Sequence, residues 1–159
     1  MSSTAEKSPA GSAAPPDARL RILLAEDNYI NQKLVVHLLK KLSCDVDVAV
    51  NGKEAVALAA GRSHAAIFMD CLMPEMDGLE ATREIRRAEQ GGGRVPIIAI
   101  TACVGEGQRE LCLAAGMDDF IQKPIHNGDL ERALQKWVRS AKAGSPENSS
   151  KNGYENVDH

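Results

Sequence analysis

AAIFMDCLMPEMDG, Ala65 to Gly78, runs from an apolar segment through one carboxylate into a turn. Ile67, Phe68 and Met69 are consecutive apolar residues, not an alternating row. A run that short and continuous reads as a strand buried on both faces, the pattern of a parallel sheet. It leaves Asp70 at its carboxyl end, where ligands bind in open parallel sheets. Pro74 and Gly78 break the next segment into a loop before a helix can begin. A lone strand-end Asp is ordinarily a turn or helix-cap residue. The weight comes from three other apolar runs that also end in chemical groups.

Upstream, Leu20 to Ala25 (LRILLA) reads as the first strand and ends in Glu26-Asp27, with Asn28 at a helix-cap position. Ile30, Leu34, Leu38 and Leu42 then recur every fourth residue, with Val35 beside them, and predict one apolar stripe of an amphipathic helix. Cys44 to Val50 alternates apolar and polar residues, as a strand nearer an edge does. Asn51 and Glu54 have capping-box spacing, and Gly61 supplies a stop.

Downstream, Asp77 and Glu80 repeat the capping-box spacing. The third helix, with Leu79 and Ile85 inward, is expected to run to Gly91-Gly92-Gly93. Val95 to Ile100 (VPIIAI) is a further buried strand ending in Thr101. Cys103 to Gly116 predicts a weaker helix with a mobile first turn, because Gly105 and Gly107 each cost up to about 1 kcal/mol of propensity. Asp119 to Gln122 is a short strand ending in Lys123-Pro124. Leu130, Leu134, Trp137 and Val138 fall on one face of a last helix. Five strand–helix units with right-handed crossovers give an α/β, doubly wound, five-stranded parallel sheet.

The chain has 159 residues, 43% apolar, and a net charge of -3. That suits one domain, expected at 19–140, between polar tails at 1–18 and 141–159. Mild acidity and 3% aromatic residues argue against nucleic acid as a partner. No apolar run approaches the roughly 20 residues that span a bilayer, and the first residues carry no apolar signal segment. The four cysteines lack CxxC spacing, which fits a reducing cytoplasm and small buried side chains.

Glu26, Asp27, Asp70, Thr101 and Lys123 thus converge on the carboxyl edge of one sheet. Three packed carboxylates repel, and the usual remedies are a bound cation or a raised pKa. Hard oxygen ligands at a loop site suit Mg2+, which prefers one or two carboxylates plus phosphate oxygens. A lysine and a hydroxyl nearby can hold the remaining phosphoryl oxygens, and a carboxylate can itself be the nucleophile.

With LLAEDN at Leu23 to Asn28, MDCLMPEMDG at Met69 to Gly78, IIAITA at Ile97 to Ala102 and DDFIQKPI at Asp118 to Ile125, the chain resembles the receiver domain of two-component response regulators. The resemblance spans nearly all of Arg19 to Arg139 and implies a flavodoxin-like fold of strand order 2-1-3-4-5. It implies that Asp70 is the phosphoacceptor, that Asp27 and Asp70 ligate Mg2+ directly, and that Glu26 acts through water. The backbone carbonyl of Leu72 completes the protein's share of that shell. Thr101 corresponds to the switch hydroxyl, Lys123 to the lysine that pairs with a phosphoryl oxygen, and Phe120 to an aromatic rotamer switch. Lys123-Pro124 is expected to be cis. The form EDNYINQKL, with Asn31-Gln32 after the acidic pair, is similar to receivers attached to hybrid sensor kinases. The implied partner is a histidine kinase or a histidine phosphotransfer domain, and a free-standing response regulator is the alternative.

Other classes fit less well. A haloacid-dehalogenase-like phosphatase carries a second Asp two residues after its nucleophile, where this chain has Leu72. A flavodoxin-like phosphate cradle after the first strand is opposed by Glu26-Asp27. A degenerate receiver serving only for docking is opposed by the full set of site residues. No output domain is recognisable in either tail, so DNA binding by this chain is not expected. Cys71 and Cys103 flank the site and are expected to pack. Cys71, Met73 and Val104 are the neighbours on which the lifetime of an acyl phosphate would depend.

Overall fold

The computed structural model describes residues 19–89, 92–102 and 105–139. The two tails, Gly91, Cys103 and Val104 lie outside the described residues. Five strands, β1 (Leu20–Ala25), β2 (Cys44–Ala49), β3 (Ala66–Asp70), β4 (Ile97–Thr101) and β5 (Asp119–Gln122), form one sheet in the order β2-β1-β3-β4-β5. Every neighbouring pair is parallel. Helices α1 (Tyr29–Lys41), α2 (Gly52–Gly61), α3 (Gly78–Glu89) and α4 (Glu106–Ala115) make the crossovers, and α5 (Asn127–Leu134) follows the last strand. This is the doubly wound parallel α/β sheet that the apolar runs predict, in the flavodoxin-like strand order that the resemblance implies.

The central strands bury both faces, and the side chains divide by parity. Ile22, Leu24, Phe68, Ile98 and Ile100 pack with Val35, Leu39, Leu130 and Leu134 beneath α1 and α5. Leu23, Ala25, Ile67, Met69 and Ala99 pack with Ala81, Ile85 and Cys112 beneath α2, α3 and α4. Strands occupied by apolar residues at every position have no polar face to offer water, so helices must cover both sides. β2 is an edge strand, as its alternation predicts, and Asp45, Val46, Asp47 and Val48 are all only half-buried.

The helix starts follow local side-chain chemistry. Asn28, Asn51 and Asp77 accept the backbone N–H of Asn31, Glu54 and Glu80 at 2.9, 2.8 and 2.9 Å. Glu54 completes its box one residue early, accepting from the Val50 N–H. α4 starts at Glu106, later than its sequence suggests, with Gly105 as a cap that offers no side-chain hydrogen bond.

Two expectations are corrected. The apolar stripe of α1 is not Ile30-Leu34-Leu38-Leu42: the buried residues are Val35, Leu38 and Leu39, while Ile30 and Leu34 are 70% and 41% exposed. Steps of four residues drift by roughly 40° each around a helix of 3.6 residues per turn, so the stripe winds away from the sheet toward its N-terminal end. The last helix leaves α geometry after Leu134 and continues as one wider π turn, Gln135–Arg139. Val138 stays buried there, and the Trp137 indole N–H donates to Asp119 at 2.9 Å.

Candidate functional site

Strand register builds the site. Ala25 lies opposite Met69, so Glu26, one residue on, comes level with Asp70. Asp70 pairs with Ile100, which sets Thr101 just above it, and Thr101 pairs with Gln122, which delivers Lys123 to the same edge. Glu26, Asp70 and Thr101 are buried polar residues, and Asp27 is exposed at the mouth. One carboxylate oxygen from each of Glu26, Asp27 and Asp70 lies within 4.8 Å of the others. Lys123 Nζ lies 3.4 Å from Asp70 Oδ2 and 3.6 Å from Glu26 Oε1.

The loop after β3 is shaped around Asp70. The Leu72 N–H donates to Asp70 Oδ1 at 3.2 Å, and the Leu72 side chain is 78% exposed. The Gly78 N–H donates to the Cys71 carbonyl at 3.0 Å. A Cβ at Gly78 would lie 2.2 Å from the Asp70 carbonyl oxygen, so only glycine lets α3 begin this close to the strand end. Glu75 takes up the turn with a positive φ of 66°. On the other side the Lys123 N–H donates to the Thr101 carbonyl at 2.9 Å, and the Lys123-Pro124 bond is cis.

Burial and the charge of Glu26 push the pKa of Asp70 up to about 6, against the pull of the Lys123 ammonium and the Leu72 N–H. Burial, and then the neighbouring Cys112, pushes the Cys71 thiol up to about 12. The two sulfurs are 3.8 Å apart, and both side chains are in the core. A thiol held neutral beside the site packs and does not react.

The donor set fits a small hard divalent cation. Every group is an oxygen, the net charge of three carboxylates against one lysine is negative, and the buried Glu26 Oε1 has no hydrogen-bond partner. The Lys123 ammonium pairs with that oxygen at a long 3.6 Å, beyond hydrogen-bond reach, and a buried carboxylate oxygen without a hydrogen bond is costly unless a further cation or its bound water faces it.

The sequence-predicted residues Glu26, Asp27, Asp70, Thr101 and Lys123 are therefore brought together at one edge. Phe120 is not among them. It lies one strand position below Ile121 and is half-buried, and the Arg109 guanidinium sits 4.9 Å from its ring centroid. Three contacts escaped the sequence reading. Arg109 stacks on Phe120, the Asn31 amide nitrogen lies 3.4 Å from Glu26 Oε2, and the Gln32 amide donates to the Glu26 carbonyl at 2.8 Å. The amides stand one helical turn beyond the acidic pair, the one signal that could have disclosed them.

Residues 22–135 match the family model of the response regulator receiver domain. The chain is 39% identical over 128 residues to the hybrid signal transduction protein dokA of Dictyostelium discoideum, a match covering 80% of this chain and 8% of dokA. The chain thus spans a small fraction of the length of such relatives. It is 47% identical to the receiver domain of sensor histidine kinase PA1611 from Pseudomonas aeruginosa, with a TM-score of 0.70 over 76% of this chain and 98% of that one. That crystal structure has a magnesium ion coordinated in the active site cleft. This chain is also 31% identical to the receiver domain of the Saccharomyces cerevisiae response regulator Ssk1, solved with the histidine phosphotransfer protein Ypd1, at a TM-score of 0.71 over 76% of this chain and 89% of that one. By its sheet order, its site and these matches, the chain belongs to the response regulator receiver domain family.

Proposed function

We propose that Asp70 accepts a phosphoryl group from a phosphohistidine on a partner protein, and that the receiver unit, residues 19–140, relays it within a hybrid-kinase phosphorelay. The observation that carries this reading is the position of Asp70: buried at a strand end, within 4.8 Å of two further carboxylates and 3.4 Å from the Lys123 ammonium. The similarity to hybrid kinases supports the phosphorelay setting. A stand-alone response regulator uses the same chemistry.

In the transfer, an Asp70 carboxylate oxygen attacks phosphorus. The O–P bond forms as the P–N bond to the imidazole breaks, and the departing nitrogen takes a proton from solvent. With a folded pKa of about 6, Asp70 is mostly ionised at pH 7 and able to attack. Lys123 is placed to hold one phosphoryl oxygen. The Thr101 hydroxyl turns toward another once Asp70 carries the group. Glu26, Asp27, Asp70 and the Leu72 carbonyl would hold Mg2+, which neutralises phosphoryl charge during transfer. The move of Thr101 toward the phosphoryl group biases Phe120, and with it the α4–β5–α5 face, between two states. On this reading the chain is a phosphoacceptor of the cytoplasm and not a turnover enzyme.

The partner is a histidine kinase or a histidine phosphotransfer domain. Tyr29, Ile30 and Leu34 on α1 follow closely on the acidic pair and are 64%, 70% and 41% exposed, an apolar surface on which that partner would dock. A phosphohistidine on a helical surface laid over this turn would reach Asp70.

Incubation with acetyl phosphate and Mg2+, followed by intact mass, tests the reading. A single phosphoryl adduct that requires both the metal and Asp70 supports it. Multiple turnover of a generic phosphate ester would instead favour a phosphatase.

A further inference from the structure

We propose that Asn31 and Gln32, in the first turn of α1, are positioning residues that aim the Glu26 carboxylate at the divalent cation. The inference rests on the cation reading of the acidic cluster given above.

Glu26 is fully buried, and its two carboxylate oxygens have opposite surroundings. Oε2 accepts the Asn28 N–H at 3.1 Å and has the Asn31 amide nitrogen 3.4 Å away. Oε1 has no hydrogen-bond partner, with Lys123 Nζ 3.6 Å off. Donors on one oxygen alone fix the plane of the carboxylate and leave the other oxygen facing Lys123, at the edge where the three carboxylates gather. The main chain of the same residue is held too, because the Gln32 amide donates to the Glu26 carbonyl at 2.8 Å and the Glu26 N–H donates to Ala49 at 3.0 Å.

The grip is tied to the start of the helix. The Asn31 N–H donates to the Asn28 side chain at 2.9 Å, and the Gln32 N–H donates to the Asn28 carbonyl at 2.9 Å. One turn of α1 therefore caps itself with its backbone while its two amide side chains hold the residue at the end of β1. Amides suit the task. Each donates a hydrogen bond without adding charge, whereas a lysine there would compete with the cation and a further carboxylate would add to the repulsion. Losing a group that orients a direct metal ligand lowers metal affinity about tenfold or more, and a group that orients a carboxylate acting through water has a smaller share of that effect.

Isothermal titration of Mg2+ alone into the full chain tests this, with the melting temperature of the metal-free protein recorded for each variant. Gln32→Met keeps length and helix propensity and removes the donor; Asn31→Ala removes the other amide; Lys40→Ala, at the far end of the same helix, is the control. The expected result is a dissociation constant raised about threefold by each amide variant and about tenfold by the pair, with Lys40→Ala unchanged. Wild-type affinity in both amide variants would overturn the proposal, and a lowered melting temperature without a change in affinity would mark them as structural only. Wild-type protein without saturable binding would overturn the cation reading itself. Each single variant reads independently, so a misfolded one, recognised by circular dichroism, leaves the other to decide.

Discussion

Asp70 is held in tension. Burial and Glu26 disfavour its charge, while Lys123 and the Leu72 N–H favour it, and the balance leaves its pKa at about 6 against an ordinary 3.8. The folded chain then binds the Asp70 proton near pH 6, and the unfolded chain binds it near 3.8. Between those values the native state holds more protons, so stability falls as pH rises from about 4 to about 6, and the penalty is complete above that. Ionised Asp70 thus costs the metal-free protein on the order of 2–3 kcal/mol at pH 7. Asp70→Asn keeps the shape and drops the charge. In chelator it should unfold at higher urea than wild type at pH 7, with the difference closing toward pH 4. Equal stability at pH 7, or a gap that widens on acidification, would contradict this balance. At this scale the sequence discloses the charged residues, because each ends an apolar run. It does not disclose the Leu72 N–H, the Asn31 and Gln32 amides or Arg109 over Phe120, because those contacts depend on side-chain direction and not on spacing.

Among the elements, the segment from β3 to α3 and the first turn of α1 frame the site. Gly78 is fixed by sterics: any side chain meets the Asp70 carbonyl at 2.2 Å. Gly78→Ala should lower stability by about 1–3 kcal/mol and slow labelling by acetyl phosphate, because relief requires the strand end carrying Asp70 to shift. Wild-type labelling kinetics and stability in that variant would show that the loop yields without disturbing Asp70. The glycine is visible in the sequence as a breaker after Asp77, but its reason is the approach of another chain segment and emerges only in three dimensions. α1 teaches the reverse lesson. Ile30 and Leu34 match a helical stripe, yet the fold leaves them in solvent because a stripe spaced by four drifts off the buried face. If they form the docking face, Ile30→Glu should slow transfer from a phosphohistidine protein at least tenfold while acetyl phosphate labelling stays at the wild-type rate. Equal loss with both donors would place the damage in the site and not in docking.

Across the whole molecule, the sheet order and the site are one fact. Order β2-β1-β3-β4-β5 puts β1 and β3 side by side at the centre, so the groups that end them, Glu26-Asp27 and Asp70, become neighbours, and β4 and β5 add Thr101 and Lys123 along the same edge. The strands and the groups that end them were legible, because short continuous apolar runs bounded by turn residues read as doubly buried strands and right-handed crossovers make them parallel; their order was implied by the resemblance to receiver domains. The π turn at Gln135–Arg139 was not legible, since Leu130, Leu134 and Val138 keep an α-like spacing whether or not the last turn widens. The central claim is that this edge directs a phosphoryl group onto one carboxylate out of several. Borohydride reduction of the acetyl phosphate-labelled protein, followed by peptide mass mapping, tests it most directly, because reduction converts an aspartyl phosphate to homoserine at the site of attachment. The account predicts homoserine at position 70 alone. Homoserine at Asp27, or a stable phosphoryl group on a hydroxyl such as Thr101 with position 70 unchanged, would contradict it.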